Sequence, residues 1–179
     1  MIRRACGAPG LIALCCCACA TTPSTSSSPE ELPPGPVALR MRAVDGEALT
    51  LGGLRGRPVL VTVITTWAET ALFEAPHLQA LRGRYPRDRL EIICLVIDDL
   101  PGAAEVFVET FEPLYRVAVP EDLEGLVGER GPFGPIRVIP TSVLLDREGV
   151  IALRSDGVWP PGVIEAAIDQ LLAADPGNR

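Results

Sequence analysis

Val59 to Leu81 reads VLVTVITTWAETALFEAPHLQAL, and its two halves follow different periods. Val59 to Ile64 is an apolar, β-branched run with Thr62 as its one polar member. A run of that kind predicts a strand buried on both faces, as in a parallel sheet. From Ala68 to about Tyr85 the apolar positions Ala71, Ala75, Leu78, Leu81 and Tyr85 recur in steps of four and three, which predicts a helix. Pro76 falls within that helix and is expected to interrupt and kink it. Thr65-Thr66-Trp67 forms the turn between the two. A strand end meeting a helix N-terminus is the usual place for chemistry in α/β folds. Here the junction Trp67-Ala68-Glu69-Thr70-Ala71 carries no thiol, histidine or serine.

Elements outward from this junction are equally readable. Asp45-Gly46 sits between two short alternating runs, Val37 to Leu51, and predicts a hairpin. Gly52 to Gly56 is a turn leading through Arg57-Pro58 into the central strand. After the long helix, Leu90 to Ile97 is a second buried strand, and Ala103 to Phe111 a short helix. Tyr115 to Val119 and Glu121 to Val127 read as a small strand and helix. Ser142 to Asp146 and Val150 to Arg154 flank the turn Arg147-Glu148-Gly149. Val163, Ile164, Ala167, Ile168, Leu171 and Leu172 form the stripe of a last helix. The order ββ, βαβα, βα, ββα implies parallel strands in the middle and an antiparallel hairpin at the end.

Composition narrows the classes. The chain has 179 residues, 47% hydrophobic and only 4% aromatic, so its core is aliphatic. Its formal charge is −7 and all 16 basic residues are arginine. An acidic chain without a basic patch argues against nucleic acid as a partner. Of the six cysteines, only Cys94 lies beyond residue 19. No C-x-x-C pair follows, so neither a zinc site nor a dithiol site is available in the body of the chain, and no metal or cofactor is expected.

Residues 1–19 read as a signal segment, with Arg3 and Arg4 before the apolar Gly10 to Cys17. Its cysteine-rich end resembles the cleavage box of bacterial lipoproteins. Cys19, after Ala18, is the candidate lipidation site, with Cys17 the alternative. The resemblance implies export to the cell envelope. Ala20 after the lipid site implies an outer-membrane rather than inner-membrane destination, facing the periplasm. Residues 20–36, rich in Ser, Thr and Pro, read as a mobile tether. Residues 37–175 then form one domain.

The motifs of that domain resemble the thioredoxin-like superfamily, and within it the TlpA-like, membrane-tethered thiol–disulfide oxidoreductases. Leu54-Arg55-Gly56-Arg57-Pro58 is similar to that family's entry into its central strand. Trp67 stands where the family has the Trp before its first active-site cysteine. Glu74-Ala75-Pro76 resembles its E-x-P segment, and Ile139-Pro140-Thr141 its cis-proline loop. Asp146 to Gly149 is similar to the hairpin turn that follows. The resemblance implies an α/β thioredoxin-like fold: a central mixed sheet flanked by helices, with an N-terminal β-hairpin extension.

It also implies a W-C-x-x-C motif, and there the chain departs. Ala68 and Ala71 occupy both thiol positions. Dithiol exchange needs a thiolate nucleophile and a resolving thiol, and alanine supplies neither. The expectation is therefore a redox-inactive module. It would keep a groove formed by Trp67, Ile139 and Pro140 for a periplasmic protein or extended peptide. The alternative is an oxidoreductase or peroxidase acting through Cys94. That residue sits mid-strand, where a buried hydrophobe is expected. Glu74, a residue that tunes thiols in some relatives, is expected to be an exposed helix-face carboxylate. His77 is expected to be solvated or locally hydrogen-bonded, Glu69 to complement the helix dipole, and Asp98 and Asp99 to be solvated or to cap the next helix.

Overall fold

A computed structural model describes residues 32–160 and 162–174. The expected signal segment, including Cys17 and Cys19, lies outside the described residues, as does the tether up to residue 31. Among the described residues, no helix is long and apolar enough to cross a membrane.

The chain begins with a hairpin, β1 (Arg40–Ala43) and β2 (Ala48–Thr50), and a 3₁₀ turn at Leu51–Leu54. Gly46 takes φ +92° in the hairpin turn, a backbone region that glycine enters without a Cβ penalty. Next come β3 (Val59–Ile64), α1 (Glu69–Arg84), β4 (Glu91–Val96) and α2 (Ala103–Phe111). Then follow β5 (Arg116–Pro120), α3 (Leu123–Val127), β6 (Thr141–Leu145), β7 (Ile151–Asp156) and α4 (Val163–Ala173). One seven-stranded mixed sheet runs β2-β1-β5-β4-β3-β6-β7. β4 is parallel to β3 and to β5, whereas β6 is antiparallel to β3 and β1 antiparallel to β5. The expected hairpin extension is thus part of the main sheet, which it lengthens by two strands through β5.

Alternation along the central strands splits the core in two. Leu60 and Ile64 of β3, with Ile92, Cys94 and Val96 of β4, face the layer of α1, α2 and α4. Val59, Val61 and Val63, with Ile93 and Leu95, face the other layer. There they meet the hairpin, Leu54, Leu126 of α3 and the buried Phe133. Thr62, the one polar residue of its run, is satisfied across the sheet: its hydroxyl lies 3.0 Å from that of Ser142.

α1 departs from expectation at Pro76. The helix continues through it from Glu69 to Arg84. A proline at this position deprives the Leu72 carbonyl of its i+4 donor. Leu72 and Pro76 both face solvent, where water can take that carbonyl, so the helix tolerates the loss.

Glu91 opens β4 and is fully buried. Its Oε2 accepts a 2.9 Å hydrogen bond from Arg57. Its Oε1 lies 3.6 Å from Arg116, 3.8 Å from Arg82 and 3.9 Å from Arg87. Arg82, itself buried, also donates to the carbonyls of Tyr85 (3.0 Å) and Leu90 (2.8 Å). One carboxylate thereby joins the entry to β3, the end of α1 and the start of β5. Removing one partner of a buried charge cluster leaves the others uncompensated. Glu91→Gln should therefore lower the unfolding free energy, read by urea denaturation, by about 3 kcal/mol or more. A loss below about 1 kcal/mol would mean the arginines are held by solvent instead.

Candidate functional site

The site is assembled where β3 ends. Parallel pairing of Ile64 with Val96 extends to a hydrogen bond from the Ile97 N–H to the Ile64 carbonyl. Two residues on, the Asp98 carboxylate accepts the Thr66 N–H at 2.8 Å. Asp98 therefore holds the turn after β3. The expected capping role is corrected in its target, because the N-cap of α2 is Gly102 and no side chain caps it. This partner was hidden in the sequence, since it depends on which strands lie side by side. Asp99 is exposed.

Trp67 follows the held turn and is 76% exposed. Ala68 is the N-cap of α1 and makes no side-chain cap bond. Alanine is among the poorest N-cap residues, because it has no acceptor for the free N–H groups of the first turn. Glu69 in the first turn is exposed and favoured there by the helix dipole. Ala71 is buried against the sheet. Both positions of the resembled motif are thus placed at the helix start, and neither carries a reactive atom.

The second wall comes from β6. Val63 pairs with Thr141, which brings the Ile139–Pro140 segment to the end of β3. The Ile139–Pro140 peptide is cis. Pro140 is buried, and its carbonyl accepts the Gly157 N–H at 2.7 Å. The Thr141 hydroxyl lies 2.6 Å from the Val138 carbonyl and 3.0 Å from the Asp156 carboxylate. Ile139 is half-buried, and its N–H and C=O have no hydrogen-bond partner among the described residues.

Behind Ala71 the structure overturns one expectation. Glu74 is 1% exposed, not a solvated helix-face carboxylate. It lies three residues after Ala71 and four before Leu78, which puts it on the buried stripe of α1 rather than beside it. Neither of its oxygens has a hydrogen-bond partner among the described residues. Burial pushes its pKa from 4.5 up to about 7. His77 is half-buried, with Nδ1 4.0 Å from Glu74 and Nε2 3.9 Å from Glu165, distances too long for hydrogen bonds. Cys94 and Tyr115 share this buried region. Tyr115 donates to the Ala75 carbonyl at 3.3 Å. Burial, with the Glu74 charge adding to it, raises the Cys94 thiol well above its ordinary range. Cys94 is fully buried and free of any disulfide. Among the described residues no group of three His, Cys, Asp or Glu side chains is placed to hold a metal ion.

Glu74 makes stability depend on pH in a stated direction. Between about pH 4.5 and 7 the folded chain holds a proton here that the unfolded chain releases. Stability from this group is full below about 4.5, falls as pH rises toward 7, and is level above. Glu74→Gln should therefore exceed the parent in stability at pH 8 by roughly 2–3 kcal/mol, and the gap should close toward pH 4. A gap constant with pH would contradict a buried, unpaired carboxyl.

The likeness to known proteins runs in one direction. No family model matches the chain. The thiol-disulfide oxidoreductase ResA of Bacillus thuringiensis is 29% identical over 108 residues, 60% of each protein. The chain thus spans about 60% of the length of that relative. Among solved structures, the thiol:disulfide interchange protein DsbE designated in Chlorobium tepidum superposes with a TM-score of 0.67 at 20% identity. That likeness covers 79% of this chain and 99% of the other. The pneumococcal exposed lipoprotein thioredoxin from Streptococcus pneumoniae gives 0.59 at 18% identity, over 74% and 98%. With the mixed sheet, the held turn at Trp67 and the cis-proline loop, these likenesses show that the chain has the thioredoxin-like fold and is similar to thiol–disulfide oxidoreductases.

Proposed function

We propose that this protein is a redox-inactive thioredoxin-fold module, related to TlpA-like thiol–disulfide oxidoreductases, that binds an extended peptide or protein segment. The observation that carries the reading is the pairing of Ala68 and Ala71 with an otherwise assembled site. Thiol exchange requires an accessible thiolate, yet the only thiol among the described residues is Cys94, buried in mid-strand. Its position and raised pKa also argue against the alternative chemistry through Cys94. What remains at the site suits recognition. Trp67 offers an exposed aromatic face, and Ile139 offers a free backbone donor and acceptor beside it. Main-chain bonds from such an edge give affinity to an extended segment, and a neighbouring aromatic gives it a hydrophobic anchor.

The cellular setting is part of the proposal. The resemblance of residues 1–19 to a lipoprotein signal supports export and a lipid anchor at Cys19 or Cys17, with the domain held off the membrane by the tether. One structural relative is itself an exposed lipoprotein thioredoxin. The partner is then a periplasmic or surface protein segment, and the outer membrane is the favoured location.

Native protein should resist a thiol reagent until it is unfolded. It should not accelerate insulin reduction by dithiothreitol. It should bind carboxymethylated insulin chains, used as a model extended peptide, with an affinity that Trp67→Ala weakens by about fivefold or more. Insulin reduction that disappears in Cys94→Ser would overturn the reading, and peptide binding indifferent to Trp67 would remove the groove.

A further inference from the structure

The segment that delivers Ile139 to the site has no helix or strand of its own. Between Gly128 and Pro140 it forms only turns and bends. Two bonds of 2.9 Å close the turns, from the Gly131 N–H to the Gly128 carbonyl and from the Gly134 N–H to the Gly131 carbonyl. Phe133, fully buried in the core, pins the middle of the segment. Beyond it, the N–H groups of Ile136, Val138 and Ile139 have no hydrogen-bond partner among the described residues. The path of such backbone is set by whatever else holds it.

What holds it are bonds to its carbonyls, and most of them come from β7. Arg154 pairs with Val143 in the sheet, and its side chain is only 8% exposed. Its Nη1 donates to the Phe133 carbonyl at 2.8 Å and its Nη2 to the Pro135 carbonyl at 2.7 Å. Nη2 also donates to Asp156 at 3.0 Å, which gives the buried charge a partner. The Thr141 hydroxyl lies 3.0 Å from the same Asp156 oxygen and 2.6 Å from the Val138 carbonyl. The Gly157 N–H closes the series on the Pro140 carbonyl at 2.7 Å. Of these held carbonyls, Arg154 takes the two that lie in the irregular stretch before Ile136. A guanidinium is suited to that task. Its two terminal nitrogens are a fixed distance apart in one plane, so bonding both carbonyls fixes their spacing and direction.

We propose that Arg154 is the positioning residue of the peptide-binding edge: by clamping the Phe133 and Pro135 carbonyls it sets the path of the chain to Ile139, and so the place of the open N–H and C=O beside Trp67. In the reading of the site as a peptide groove, on which this depends, Arg154 does not touch the peptide. It acts only through the segment. Without the clamp two buried carbonyls lose their donor, and the segment shifts or opens to satisfy them.

The test compares Arg154→Met, which keeps much of the side-chain length, with Arg154→Lys, which keeps the charge without the fork. Glu91→Gln is the control, destabilised at the opposite end of the sheet. Thermal unfolding and binding of carboxymethylated insulin chains are measured for each. Trypsin reads the segment directly, because Arg130 and Arg137 lie within it and the chain has no lysine. At a temperature where every variant is folded, Arg154→Met should be cut after Arg137 about tenfold or more faster than the parent. Its peptide affinity should fall about fivefold or more, with Arg154→Lys between the two. Glu91→Gln should stay within about twofold of the parent in affinity. Unchanged cleavage after Arg137, or faster cleavage with unchanged affinity, would overturn the role of Arg154 and leave the groove standing. An equal loss of affinity in Glu91→Gln would do the same, by tracing the effect to stability alone. A parent that binds no insulin chain, or binds it without need of Trp67, would overturn the groove and the role of Arg154 together.

Discussion

The antiparallel ladder between β3 and β6 is the constraint on which the site depends. It runs from Val59 opposite Leu145 to Val63 opposite Thr141. The buried hydroxyl pair Thr62–Ser142 sits in its middle, where a register slip would leave two polar groups unpaired. With that register held, Ile139–Pro140 can only arrive beside the turn that leaves β3. The parallel pairing with β4 fixes the other side, because it delivers Asp98 to the Thr66 N–H. Two neighbouring strands thus position a turn, an aromatic side chain and an open backbone edge. None of this requires a thiol. The scaffold holds with alanine at both Ala68 and Ala71.

The two ends of the sheet are electrostatically distinct. At the end where β3 and β4 begin, one buried glutamate gathers Arg57, Arg82, Arg87 and Arg116. The segments Pro58 to Leu81 and Leu90 to Tyr115, which run to the other end, contain no arginine. The charge cluster ties strand entries and helix exit together.

Local pattern carried most of the fold. The run Val59 to Ile64 and the helix Ala103 to Phe111 were legible to the residue, because periodicity and length separate a buried strand from an amphipathic helix. The cis peptide was legible too, through the resemblance of Ile139-Pro140-Thr141 to a cis-proline loop. What was not legible depended on packing. Glu74 reads as a surface carboxylate by type, although its spacing from Ala71 and Leu78 places it inside. Arg82 lies on the same stripe and is likewise buried. Glu91 hides in an apolar run, and its partners come from three other segments. Asp98 acquires its role only through the neighbour of its strand. Each miss is a polar residue whose burial or partner is set by packing between elements.

On the proposed reading, redox chemistry is absent because Ala68 and Ala71 carry no thiol while the turn and the cis-proline loop are in place. Placing thiols there is the most direct test. In an insulin-reduction assay driven by dithiothreitol, the natural protein should match the uncatalysed rate. Ala68→Cys/Ala71→Cys, once shown to be folded and to form its disulfide, should accelerate the reaction. Acceleration by the natural protein, or a folded double-cysteine variant with no activity, would contradict the account.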